Sequence, residues 1–385
     1  MQLATEERTS EAVPQASAQP APRPAGRSHR PRLSPRARAG LDAARACSAI
    51  YVMLHHTSTT LPMPAPLTWV LSFGEEAVMV FFLLSGFVIF ANESDRVGDL
   101  RSFYLRRLRR IYPLVLIAMG VSTAVWAVGV VSRPPNWRSA LATVLSLDDL
   151  TAKPGIVSGA YLGNAPLWSL SYEVFFYAIF PLVMVLWRRT PQLTRHLVGA
   201  VAVAAYLSYI AAPNHFSLVT AYFALWWAGA AAAKAHLDGG IRLGRIRVEA
   251  VWLGALTLAA VGSWVVEGWQ GPTNYPFLMV RHFGVALGLL LVLATPVRTR
   301  LATLALRGAP VWAWVASISY GIYALHYPIV IQTSRVFGWE AFAPMVALTV
   351  ACAWVVERRL MPLIPRPKAR ARANAQPQLA LSARA

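Results

Sequence analysis

The sequence predicts an all-α polytopic membrane protein with about ten transmembrane helices and both termini in the cytoplasm. Three observations carry this expectation. Hydrophobic residues make up 56% of the 385, and only 14% are charged, where a soluble domain carries about 25%. The apolar residues gather into runs of roughly the 20 residues needed to cross a bilayer. Most of the 36 basic residues, which help give a formal net charge of +19, fall in every other segment between those runs, the segments assigned to the cytoplasm, as the positive-inside rule requires.

The ten predicted spans are 41–61, 68–91, 111–131, 166–187, 197–212, 217–235, 249–267, 277–295, 310–332 and 341–360. The first is the least apolar, holding Asp42, Arg45, His55 and His56. Arg45 and His56 are about three helical turns apart, near one face and about 16 Å apart along the axis. The second opens with Glu75 and Glu76 at the interface, and its Ser85-Gly86 pair is a small-residue patch suited to close helix contact. The segment LRSFYLRRLRRIYP leads into the third and clusters Arg106, Arg107, Arg109 and Arg110. The fourth carries Glu173 about two turns deep; the fifth is short. The eighth has Arg281 and His282 near its outer start, and the ninth places His326 in its outer half.

With the N-terminus inside, only Arg133, Arg138, Lys153 and Arg335 fall in outer loops. Residues 1–39 form a basic Pro/Ala/Arg-rich arm without the apolar stretch of a signal peptide, and 363–385 a similar tail. Both are expected to be disordered, flanking a membrane domain over 40–362. Cys47 and Cys352 belong to no metal-ligand or disulfide pattern. No phosphate-binding G-x-x-x-x-G-K-[ST] loop or H-E-x-x-H motif occurs. The basicity serves orientation in the membrane and gives no support to nucleic-acid binding.

Ionisable residues inside a membrane are costly, so each has a functional and a structural reading. Arg45 either snorkels to headgroups or binds an anion. Glu173 is either a partner for a polar group on another helix or a catalytic carboxylate. His56, Glu173, Arg281 and His326 fall at similar depth on four helices, which points to one polar cavity where general acid–base chemistry is possible. Arg107 and Arg110, at i and i+3, share a helix face and can grip a phosphate. A polytopic transporter or flippase of a glycan or lipid carrier would explain the same residues. Transporters, however, commonly show paired halves with broken helices, and no such repeat is visible.

Five segments resemble, in order, those of the acyltransferase family 3 of integral membrane O-acyltransferases: GLDAARACSAIYVMLHH (40–56), GEEAVMVFFLLSGFVIF (74–90), FYLRRLRRIYP (103–113), PLWSLSYEVFFYAIFPL (166–182) and SISYGIYALHYPIV (317–330). The family's arginine–histidine pattern falls on Arg45 and His56, its paired arginines on Arg107 and Arg110. Its glutamate falls on Glu173 and its late histidine on His326. The chain departs from the pattern at Ala44 and Cys47, and His55 leaves two imidazoles as alternatives for the base. The resemblance extends to the membrane domain without the esterase-like domain that many relatives carry after it.

The resemblance implies transfer of an acyl group, most often acetyl, from acyl-CoA to a hydroxyl of a glycan or other acceptor, at the bacterial inner (plasma) membrane. A macrolide-type metabolite is the alternative acceptor. Acyl-CoA acts as co-substrate, and neither a permanently bound cofactor nor a metal is expected. Arg45, Arg107 and Arg110 would hold the CoA phosphates, and His56 would act as general base. Glu173 would fix its tautomer, and His326 and Arg281 would contact the acceptor.

Overall fold

The computed structural model describes residues 33–94 and 97–365. Most of the expected arm and tail lies outside the described residues. Apart from one isolated bridge between Asp148 and Ser158, the described residues form no β-structure. In chain order the helices are α1 (Pro35–Ser58), α2 (Ala65–Glu93), α3 (Leu100–Ala127), α4 (Trp137–Val144), α5 (Leu167–Arg189), α6 (Pro191–Ala211) and α7 (His215–Leu237). They continue as α8 (Leu243–Glu267), α9 (Phe277–Leu293), α10 (Val297–Arg307), α11 (Ala309–Ala316), α12 (Ser319–Phe337) and α13 (Trp339–Leu363).

Each of the ten expected spans falls on a helix, but the helices differ in quality. Among the described residues, seven are long and apolar enough to cross a membrane, or nine if each of two bent pairs counts as one span. α1 is not among them. It carries Asp42, Arg45, His55 and His56 along its inner length, and it begins at Pro35, inside the expected arm. Ser34 caps it by accepting a hydrogen bond from the Ala37 amide. The short fifth span is a 21-residue helix, α6. The eighth ends where α10 turns away from α9 at 84°, and the ninth is bent by 52° between α11 and α12. The arginine cluster expected in a loop lies on the first turns of α3, a 28-residue helix capped by Asp99.

α7 is the centre of the bundle. It is apolar on every side, and 83% of its most hydrophobic window is buried inside the protein, as expected for a helix surrounded by others. Trp226 and Trp227 are fully buried in it. It crosses α2 at two glycines. A Cβ on Gly86 would stand 1.9 Å from the Trp226 carbonyl oxygen, and one on Gly229 would stand 2.0 Å from that of Leu83. The backbones touch, as small residues allow between membrane helices, and this contact fixes Ser85 against α7. The opposite extreme is α13, whose apolar window is 17% buried and so presents most of its surface outward.

Candidate active site

A cavity of about 540 Å³ opens among α1, α2, α3, α5 and α12. It brings together Arg45, Arg107, Arg110 and Glu173 from four separate stretches of sequence. The three cations are not equivalent. Arg110 Nη1 donates to Glu357 on α13 at 2.7 Å, and its guanidinium lies 4.4 Å from the Tyr320 ring centre. Arg107 makes one long contact, 3.3 Å, to Glu93, whose carboxylate is already held by Arg106 Nε at 3.1 Å and Nη2 at 2.6 Å. Arg107 Nε is buried without a partner among the described residues. Arg45 forms no hydrogen bond or ion pair with the described residues. Arg109 also lines the cavity but spends its donors on the Met361 and Ile364 carbonyls of the last helix.

Glu173 sits in the wall of this cavity. Its Oε1 accepts from Ser85 Oγ at 2.5 Å and from Tyr177 OH at 2.6 Å, and its Oε2 accepts from Tyr320 OH. Trp226 Nε1 in turn donates to Ser85 Oγ at 3.1 Å. The carboxylate is thus saturated by hydroxyls from α2, α5 and α12. The expected pairing of Glu173 with His56 is not what the structure shows, because these donors take both its oxygens. Sequence reading assigns Ser85 only to helix contact and passes over Tyr177 and Tyr320. For Tyr177 a clue was available in its spacing of one turn from Glu173 on α5; for Tyr320 there was none.

The imidazoles form a separate group near the far end of α1. His56 and His326 stack with ring centres 5.5 Å apart and planes inclined by 24°, and the Tyr327 ring meets His56 edge-on at 5.1 Å. Arg335 donates to the Tyr327 hydroxyl at 3.0 Å. His326 is fully buried, and its Nδ1 faces the Ile322 carbonyl at 3.1 Å. A carbonyl only accepts, so Nδ1 carries a proton, and in the neutral ring Nε2 keeps its lone pair. That Nε2 has no protein partner among the described residues. Directly after His326 the helix widens into a π-turn over Tyr327–Ile331, a distortion that recurs at functional sites.

His55 has a different task. Its Nδ1 lies 2.8 Å from the Leu71 carbonyl, and its ring presses on Gly74, where a Cβ would come within 2.1 Å. It joins α1 to the start of α2. Of the two histidines of α1, only His56 stacks on His326. The pair does not line the cavity, and Tyr323 stands between them. Tyr323 lines the cavity, accepts or donates at 2.7 Å with Ser169 Oγ, and has its ring 6.1 Å from that of His326.

Arg281 is not free for a substrate. Its Nε meets Glu76 Oε1 at 2.6 Å, and its other donors reach the Ser72 and Pro272 carbonyls at 2.8 and 2.7 Å. It belongs to a buried polar network that sequence reading missed. His282 Nε2 lies 3.2 Å from Glu75, and Asp149 accepts from Tyr172 OH and His215 Nδ1, both at 2.6 Å. In the segment between α4 and α5, Lys153 is buried with its Nζ 4.1 Å from the Trp168 ring centre and 4.7 Å from that of Tyr222. Burial lowers its pKa to about 8 against the pull of Asp149 and Glu75. Burial likewise raises the neighbouring Asp148 to about 7, although Ser171 donates to it.

An acyltransferase-domain family model, Acyl_transf_3, matches residues 38–358. The chain belongs to acyltransferase family 3. Nodulation protein 10 of Rhizobium leguminosarum bv. viciae is 27% identical over 328 residues, covering 78% of this chain and 85% of that protein. Acyltransferase MdmB of Streptomyces mycarofaciens is 35% identical over 121 residues, 31% of this chain and 30% of that protein. No solved structure matches. The chain is therefore an enzyme, an acyltransferase of groups other than amino-acyl, and with its long apolar helices a multi-pass membrane protein. Among the described residues no group of His, Cys, Asp and Glu is arranged to hold a metal ion.

Proposed function

We propose that this acyltransferase moves an acyl group, acetyl in the first instance, from acyl-CoA to a hydroxyl of a glycan bound from the outer side of the inner membrane. The observation that carries the reading is the cavity itself. It is lined by arginines and by Tyr323, whose ring lies 6.1 Å from that of His326. With both termini cytoplasmic, the arginines face the compartment that holds CoA and the histidines lie toward the acceptor. Arg45 and Arg107 receive the CoA phosphates, Arg45 because it is unpaired and Arg107 because its Nε is unused. Arg110, held by Glu357, supports the wall and adds positive field.

The thioester reaches the histidine pair along the apolar cavity. His56 Nε2 or Nδ1 takes the proton of the acceptor hydroxyl as its oxygen attacks the thioester carbonyl. The carbon–sulfur bond then breaks, the ester forms, and the proton passes from the imidazolium to the departing CoA thiolate. His326 presents its neutral Nε2 next to His56 and orients either the hydroxyl or the base. Glu173 keeps Ser85, Tyr177 and Tyr320 in register along the donor path rather than orienting the base.

The test is thiol release from acetyl-CoA by the purified protein in bilayer nanodiscs, with and without a glycan extract from the source envelope. Acceptor-dependent thiol release and an ester on the glycan are expected. Glycan with unchanged mass, alongside release driven by small hydroxylated metabolites, would replace the acceptor class and leave the enzyme reading intact.

A further inference from the structure

α10 turns away from α9 at 84° and, with α1, α2, α7 and α9, lines a second cavity of about 650 Å³. That volume is within the range of about 300–1,000 Å³ that small-ligand sites occupy. Its walls are apolar side chains such as Leu83 and Phe87 of α2, Ala232 of α7 and Leu289 of α9. Among the described residues no acid lines it, while Arg36 and Arg298 do. An adjoining pocket sharing Arg36 adds Arg300 and Arg307. None of these four guanidiniums hydrogen-bonds or ion-pairs with a described residue, and Arg298 Nε is buried without a partner. Topology asks for basic residues on this side of a membrane, but it does not ask for four guanidiniums without a described partner, one of them with its Nε shut off from water, around one apolar chamber and the pocket beside it. A donor removed from water needs an acceptor beside it. The combination calls for a molecule with an anionic head and an apolar body. α10 has the form of an interfacial helix, with Leu301 and Ala305 on the cavity and arginines at its edges.

We propose that this cavity binds one anionic phospholipid from the surrounding bilayer, its chains among the side chains of α2, α7 and α9 and its phosphate diester between Arg36, Arg298 and Arg300. The site is distinct from the acyl-transfer cavity, although Leu84 lines both. A lipid seated there supports α2 from the side opposite Ser85.

The test uses the full-length protein carrying Cys352→Ser, delipidated and returned to nanodiscs of phosphatidylglycerol or of phosphatidylcholine with the same chains. Cys47 lines the cavity, so its maleimide labelling reports occupancy, while native mass spectrometry counts retained lipid in a parallel sample. Retention of one phosphatidylglycerol and slower Cys47 labelling are expected, with phosphatidylcholine giving neither. Arg298→Gln combined with Arg300→Gln should lower occupancy about fivefold for each guanidinium removed. Cys47→Trp, read by mass spectrometry alone, should abolish retention by filling the chamber while leaving the arginines in place. Equal retention of the two lipids would overturn the proposal. So would phosphatidylglycerol retention that survives both variants, or its displacement by acyl-CoA.

Discussion

His56 and His326, 270 residues apart in sequence, stack ring on ring with centres 5.5 Å apart. His326 is fixed by the Ile322 carbonyl one turn back, and His56 is flanked by Tyr327. His55, with its ring centre 5.0 Å from that of His56, faces the Leu71 carbonyl of α2 instead.

The two histidines of α1 should therefore behave differently on mutation. His56→Ala is expected to lower kcat by about 10²–10⁴-fold, the usual contribution of a positioned base, at unchanged thermal stability. His55→Ala should lower the unfolding temperature and leave most of the specific activity of the folded fraction. Steady-state assays on protein normalised for folded content check this, and the reverse pattern would move the base to His55.

The arginines separate in the same way. Arg45→Ala removes an unpaired cation from the donor cavity. It should raise KM for acyl-CoA by about 10- to 100-fold, the worth of a charge-assisted hydrogen bond, with little change in stability. Arg110→Ala leaves the buried Glu357 carboxylate unpaired and should cost about 1–3 kcal/mol of stability. Glu357→Gln added to Arg110→Ala is expected to recover part of that loss. If Arg45→Ala lowered kcat alone, its place on the CoA phosphates would be refuted.

The α2–α7 crossing tolerates nothing larger than glycine. Gly86→Ala or Gly229→Ala places a methyl against a backbone carbonyl and should destabilise by about 1–3 kcal/mol, the range for overpacking. Because the crossing holds Ser85 against Trp226 and Glu173, Gly86→Ala should also impair activity in the fraction that folds. Thermal unfolding in detergent and assays at low temperature measure the two effects.

The segment between α4 and α5 gives the fold a pH dependence. Asp148 titrates near 7 in the folded protein, above its ordinary value near 3.8. The unfolded chain therefore releases that proton first, and stability falls as pH rises from about 4 to about 7. Lys153 titrates near 8, below its ordinary 10.5, so stability falls as pH drops from about 10.5 to about 8. Their joint contribution is least favourable between pH 7 and 8. Denaturant unfolding across the pH range should show that minimum, and Asp148→Asn should remove its acidic limb. A slope over pH 4–7 that Asp148→Asn leaves unchanged would assign the effect elsewhere.

The sequence by itself determined the class of molecule and the residues to watch. Runs of apolar residues must leave water, so their length and spacing located every major helix. The order of short motifs identified the family before any geometry was known. Arg45, Arg107, Arg110 and Glu173 were legible because a charge in an apolar run needs a reason, and the fold does collect them around one cavity. Membrane-span number was less legible, because α1 carries Asp42, Arg45, His55 and His56 and α10 bends out of line with α9. Which side chains satisfy one another was decided only by the tertiary structure. Hydrogen bonds and ion pairs act over about 3 Å, and nothing in a linear pattern tells Glu173 to take Ser85, Tyr177 and Tyr320 in place of His56. The same short range binds Arg281 to Glu76 and leaves His326 beside His56. These partnerships follow from the close crossing of α2 with α7 and from the packing of α12 against α1, which only the folded chain brings about.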